Sequence, residues 1–188
     1  MLPIYMYEFL KKLDFQENHE IIKREMARLL ILQNIIDGKI ILNNRKINLY
    51  DFINNFLERE KEDGIVFDLN LYSPPQILEI TTDSNYFDII LKELIDNSKV
   101  SISKSGLIKI NINKKNYTIL EIIDSGTGIP KSDIKKIFTP FFVTNFHLFK
   151  GHLGIGLSIV SGLLKFMGAK IEIDSEYSKG TKVTLYLI

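Results

Sequence analysis

The sequence predicts a mixed α/β domain preceded by a shorter helical piece, and three stretches predict it. Residues Ser84 to about Val100 carry Phe87, Ile90, Leu91, Leu94 and Ile95 at helical spacing, the stripe of a helix laid on a core. Ile108, Ile110 and Ile112 alternate with Lys109, Asn111 and Asn113, as in a strand with one buried face. Residues 169–175 and 181–187 form two further apolar runs, joined by Ser178-Lys179-Gly180, whose turn-forming composition suits a hairpin.

Composition narrows the functions open to such a domain. At 188 residues, 45% hydrophobic and 25% charged, the chain can bury a sizeable core. Its net charge of +1 exerts no general pull on nucleic acid or an anionic membrane, so neither is expected as a partner. With no cysteine, disulfides, thiolate metal sites and cysteine nucleophiles are excluded, and His19, His147 and His152 lie too far apart to suggest zinc. No apolar run reaches the roughly 20 residues that span a bilayer, and the N-terminus lacks the profile of a secretion signal. The chain as read is expected to be cytoplasmic, whether or not a longer parent is membrane-anchored.

In chain order, residues 2–13 read as a short helix with Pro3 in its first turn, and 14–18 as a turn. His19 to Ile36 is strongly helical, with Ile22, Met26, Leu29, Gln33 and Ile36 forming a narrow seam suited to a helical hairpin or an intersubunit bundle. Gly38 stops that helix. A second helical pattern, about residues 49–62, puts Leu49, Phe52, Ile53, Phe56 and Leu57 on one face behind Asn48 as N-cap. Asp63-Gly64 ends it and Ile65-Val66-Phe67 opens a strand, while Ile77 to Ile80 forms a short run and residues 81–84 cap the helix at Ser84. The boundary between a helical N-terminal piece, 1–46, and the main domain, 47–188, falls near residue 46. Tyr117 to Ile123 reads as a deeply buried strand, and Lys131 to Ile137 as a short helix entered at Pro130. Residues 138–153 are long, aromatic and irregular, as functional connections often are. Gly154-Ile155-Gly156 then opens a helix whose Leu157, Val160, Leu164 and Met167 face the core, ending at Gly168.

The chemistry-bearing residues fall within this frame. Glu93 and Asn97 are one helical turn apart and share a side of their helix. A strand that stops on Asp124 and turns through Gly126 and Gly128 brings a carboxylate and bare backbone to a sheet edge. A buried carboxylate can accept from the exocyclic amine of a purine; an amide oxygen suits Mg²⁺, which keeps most of its waters. Glu93 is placed to act as a general base, and backbone N–H groups at Gly154 and Gly156 can cradle phosphate oxygens at a helix start.

These segments resemble a known family. Glu93-Leu94-Ile95-Asp96-Asn97, Asp124-Ser125-Gly126-Thr127-Gly128, Phe138-Thr139-Pro140-Phe141-Phe142, Gly154-Ile155-Gly156-Leu157-Ser158-Ile159-Val160 and Gly180-Thr181 are similar, in order, to the N box, first glycine box, F box, second glycine box and final Gly-Thr of the histidine-kinase ATP-binding domain. That domain belongs to the GHKL superfamily shared with gyrase and the mismatch-repair ATPases. The resemblance covers about residues 65–188 and implies a two-layer α/β sandwich, the Bergerat ATP-binding fold, preceded by a short helical hairpin. It further implies that ATP lies between the Glu93 helix and a flexible lid, about 138–153. Asp124 would read adenine, Asn97 would hold Mg²⁺, Thr181 would support the adenine end, and Gly126, Gly128, Gly154, Gly156 and Leu157 would line the nucleotide. Residues 2–62 resemble the back end of a dimerisation and phosphotransfer hairpin plus its link to the ATPase domain. The expected partners are therefore ATP or ADP, a response-regulator receiver domain and a second copy through the N-terminal helices.

The pattern is departed from in three places. His152-Leu153 stand where the second glycine box has Gly-Thr, with Gly151 displaced by one. Val100 occupies the position of a frequent basic residue three after the N-box asparagine, and Lys99 would face elsewhere. His19-Glu20-Ile21 echoes an H box, but Arg24 replaces its proline, so His19 reads as a solvated residue; Leu2-Pro3-Ile4 reads instead as the remnant just after an H-box histidine. Two functions follow from this. One is the catalytic region of a sensor histidine kinase acting on a histidine outside the chain. The other is an impaired, kinase-like nucleotide-binding regulator that works through protein contacts.

Overall fold

A computed structural model describes residues 19–102, 104–143 and 153–188. The N-terminal helix and turn expected over 2–18, most of the expected lid, His147, Gly151 and His152 lie outside the described residues.

The first helix, α1 (His19–Ile36), ends as expected at Gly38, whose φ of +67° lets Lys39 N–H reach back to the Asn34 carbonyl at 2.8 Å. A short strand β1 (Arg45–Asn48) leads directly into α2 (Leu49–Arg59), and Asn48 caps it by accepting from Asp51 N–H at 3.1 Å. Then come β2 (Ile65–Leu71), β3 (Glu79–Thr82), α3 (Ser84–Ile102), β4 (Gly106–Lys114), β5 (Thr118–Asp124), α4 (Gly156–Phe166), β6 (Lys170–Glu176) and β7 (Gly180–Leu187). Asp83 caps α3, its carboxylate accepting from Asn85 and Tyr86 N–H.

Five strands form one sheet in the order β2-β4-β5-β7-β6, with β2 parallel to β4 and the other pairs antiparallel. β1 and β3 pair separately, Ile47 opposite Ile80. One face of the large sheet presents Ile108, Ile110, Ile112, Leu120, Ile122 and Leu185, each at most 2% exposed. Phe87, Ile90, Leu94 and Ile95 of α3, Ile53 and Phe56 of α2, and Ile159 and Leu163 of α4 join the same core, making a two-layer α/β sandwich.

One local expectation differs from what is observed. Residues 131–139 form successive turns instead of a regular helix, with the Asp133 carbonyl accepting from both Lys136 and Ile137 N–H. β2 opens at Ile65 as expected, and it runs on to Leu71 past Asp68 and Asn70 because its backbone pairs residue by residue with β4. The α1 seam read as suited to a hairpin or an intersubunit bundle faces away from the domain, with Met26 60% and Ile36 67% exposed. Ile21, Glu25, Arg28, Leu32 and Ile35, one residue earlier at the same spacing, face the domain instead.

Candidate nucleotide site

Asp124 is buried because of strand periodicity. Thr118, Leu120 and Ile122 alternate inward along β5, and Asp124 continues the same face at the strand end. Its Oδ1 accepts from Gly126 N–H at 2.9 Å, its Oδ2 from the Ser98 hydroxyl of α3 at 3.4 Å, and it also takes a bond from the Thr181 backbone opposite it in the ladder. Burial pushes its pKa up, and those three donors hold the rise back. Only 6% exposed, with donors gathered round it, this carboxylate has the setting of a specific acceptor more than that of a solvated turn residue.

The glycines near it serve close packing. At Gly126 a methyl group would collide with the Ser101 side chain and lie 2.8 Å from Asp124 Oδ1, so α3 and the β5 turn can meet only over a bare Cα. Gly128 has φ +66° and packs against the Glu176 carbonyl, bringing the turn onto the β6–β7 hairpin. Thr181 Oγ1 lies 2.9 Å from Ser175 Oγ, and Ser175 in turn accepts from Ile129 N–H at 2.8 Å. Asp124, Gly126, Gly128 and Thr181 are thus brought together at one end of the sheet.

The second glycine segment approaches from α4. Phe141 N–H donates to the Gly154 carbonyl at 2.8 Å, and the Ser158 hydroxyl to the Phe138 carbonyl at 2.9 Å, so the aromatic segment is stapled to the start of α4. Phe141 takes φ 66°, a left-handed backbone unusual for an aromatic residue. Leu157 is half-buried against the core.

Glu93 and Asn97 share α3, but their environments differ. Asn97 is exposed, next to Ser98, whose hydroxyl reaches Asp124. Glu93 is 7% exposed, and both its oxygens accept from one guanidinium: Arg28 Nε to Oε1 at 2.7 Å and Nη2 to Oε2 at 2.6 Å. Arg28 Nη1 also donates to both oxygens of Glu25, at 2.7 and 2.8 Å. Burial works against the charge on Arg28, but Glu93 and Glu25 outweigh it and its pKa is raised. Burial also pushes Glu93 up, offset only in part by Arg28.

Ser98, Ser101, Arg28 and Glu25 were not foreseen from sequence. The available signal was the second seam on α1, in which two charges sit at core spacing. Gly156 is also explained differently: a methyl there would lie 2.5 Å from Glu93 Oε2 and 3.1 Å from Arg28 Nη2, so its bareness accommodates the ion pair. Lys99 faces away, as the helical wheel requires, donating to the Glu60 carbonyl at 2.8 Å.

The fold is a two-layer α/β sandwich, and comparison with known proteins places it in a family. The family described as histidine kinase-, DNA gyrase B-, and HSP90-like ATPase matches residues 82–188, and the chain belongs to it. The sensor kinase CckA of Brucella abortus is 43% identical over 124 residues, 57% of this chain and 13% of that protein. The sensor histidine kinase YxdK of Bacillus subtilis is 32% identical over 108 residues, 56% of this chain and 33% of that protein. This chain therefore spans at most a third of these relatives' length. Among solved structures, the Acinetobacter baumannii histidine kinase AdeS superposes with TM-score 0.72 at 20% identity, covering 100% of this chain and 86% of that one. Full-length ShkA, solved with AMPPNP, gives TM-score 0.78 at 19% identity, covering 100% of this chain and 39% of that one. At such identities these two establish the fold. Among the described residues, no helix is long and apolar enough to cross a membrane.

Proposed function

We propose that the chain binds Mg-ATP with its base at Asp124 and its phosphates toward Asn97 and the start of α4, and serves as the catalytic region of a two-component sensor histidine kinase. The γ-phosphoryl group passes to a histidine supplied from outside this chain and then to an aspartate of a response-regulator receiver domain. The observation that carries this reading is the buried Asp124 carboxylate, ringed by Ser98, Gly126 and Thr181.

In this reading Asp124 accepts from the exocyclic amine, Thr181 supports the base, Gly126 and Gly128 let the base approach, and Gly154, Gly156 and Leu157 border the phosphates. Glu93 is the catalytic carboxylate. Among the described residues no cluster of three His, Asp or Glu side chains forms a metal cage. The single exposed amide at Asn97 would hold a hard cation such as Mg²⁺, which takes oxygen ligands and keeps several waters. Such an ion would supply charge neutralisation for phosphoryl transfer, which depends mostly on positioning.

The division near residue 46 and a homodimer through α1 belong to the same proposal. The outward seam, with Met26, Leu29 and Ile36 exposed, supports pairing with a second copy. Incubation with γ-labelled ATP, alone and with a separately made histidine-bearing dimerisation helix, tests the function. Label on the added helix is expected only in the mixture; nucleotide binding without transfer to any histidine would favour the regulator reading.

A further inference from the structure

The carboxylate given catalytic work above is gripped from outside the matched ATPase region. We propose that Arg28 is a positioning residue for Glu93, fixing the plane and aim of its carboxylate from helix α1; this deepens the kinase reading and rests on it.

The geometry is a planar fork. Two parallel N–H bonds, 2.7 and 2.6 Å, run from one guanidinium to the two oxygens of one carboxylate, an arrangement that fixes orientation as well as distance. Glu25, one turn before Arg28 on α1, takes the Nη1 protons and fixes the guanidinium in turn. All three residues are at most 9% exposed. An ionised carboxylate offers about four acceptor positions, so Arg28 leaves one on each Glu93 oxygen for a nucleophile or a water. Carboxylate, orienting partner and a third group behind it repeat the logic by which a base is aimed in other active sites. Gly156 fits the same picture, because only a bare Cα leaves room for the Glu93–Arg28 pair at the start of α4.

The fork also couples the site to α1 as a whole. Leu32 is buried, and Ile35 packs on α4 where Gly162 leaves room for it. Apolar contacts thus hold one end of the helix while Glu25 and Arg28 hold the middle. Any movement of α1 relative to α3 and α4 changes the aim of Glu93.

The test uses the full chain with Arg28→Ala, Arg28→Lys and Glu25→Gln. With Mg-ATP and the separately made histidine-bearing helix, Arg28→Ala is expected to lower kcat about a hundred-fold, the scale of a misplaced general base. KM for ATP should stay within about two-fold, because nucleotide contacts are untouched. Arg28→Lys should recover part of the rate, keeping the charge but losing the fork. Should Arg28→Ala fold poorly, Glu25→Gln carries the test, with a smaller fall in kcat and the same KM. Turnover equal to or above that of the unmodified chain in Arg28→Ala or Glu25→Gln would overturn the proposal. A second arm needs no turnover: the Arg28 Nε–H resonance in nitrogen-15 spectra of the unliganded chain should exchange slowly and vanish in Glu93→Gln. If it is unaffected by Glu93→Gln, the positioning claim fails. If the unmodified chain transfers label to no histidine, the kinase reading fails instead, and this resonance alone decides the contact.

Discussion

Replacing Asp124 with Asn removes one acceptor from a buried site while keeping its shape. In the free protein Asp124 Oδ1 accepts from Gly126 N–H and Oδ2 from Ser98, with a further bond from the Thr181 backbone. An amide keeps one oxygen and turns the other position into a donor, so a purine amine arriving there meets N–H instead of a lone pair. One lost charge-assisted bond in such a setting is worth about 1–3 kcal/mol. That converts to roughly 5- to 150-fold weaker binding of ADP, read by titration calorimetry at neutral pH. The fold should tolerate the change. Because burial raises the Asp124 pKa, its ionised form is the costly one: the stability contributed by this group is fully present below the ordinary 3.8 and is lost as pH rises through the raised folded-state value. A neutral amide escapes that penalty at neutral pH. ADP affinity within two-fold of the unmodified chain in a folded Asp124→Asn protein would refute the reasoning.

Other perturbations read other parts of the site. As pH falls, nucleotide affinity should drop where Asp124 takes up its proton, at a pH above the usual 3.8; calorimetry in buffers of different ionisation enthalpy should show proton release on binding within that window. Asn97→Ala should weaken nucleotide binding in the presence of Mg²⁺ much more than in its absence, and equal losses would remove Asn97 from the ion's shell. Gly156→Ala drives a methyl to 2.5 Å from Glu93 Oε2 and should destabilise the chain by about 1–3 kcal/mol in urea melts. That cost should shrink in a Glu93→Ala background; simple additivity would mean the methyl strains something else. Arg28→Met alone strands a buried carboxylate and should cost about 3–5 kcal/mol, whereas Arg28→Met with Glu93→Met should cost less, as denaturant midpoints would show.

The parts of the fold legible from sequence are those where one period dominates. Ile108, Ile110 and Ile112 could only be one buried face, and the burial expected of Asp124 at the end of β5 is what the strand's alternation gives. The stripe on α3 was equally plain. β1 was hidden because Arg45 and Lys46 carry no apolar signal; the strand exists because Ile47 and its neighbours find β3 to pair with. On α1 the two candidate seams have identical spacing one residue apart. The more apolar one is left facing outward, and the domain packs against the seam carrying Glu25 and Arg28, which meets Glu93. Gly156 shows the same limit: a glycine at a helix start reads as a phosphate cradle, yet its nearest neighbours are a carboxylate and a guanidinium brought there by two other helices.

The most direct test of the account is a crystal structure of the chain grown with ADP and Mg²⁺. The adenine amine is predicted to lie within hydrogen-bonding distance of the Asp124 carboxylate, with the diphosphate running toward Asn97 and the start of α4. A base seated anywhere else, with Asp124 still bonded only to Ser98, Gly126 and Thr181, would contradict it.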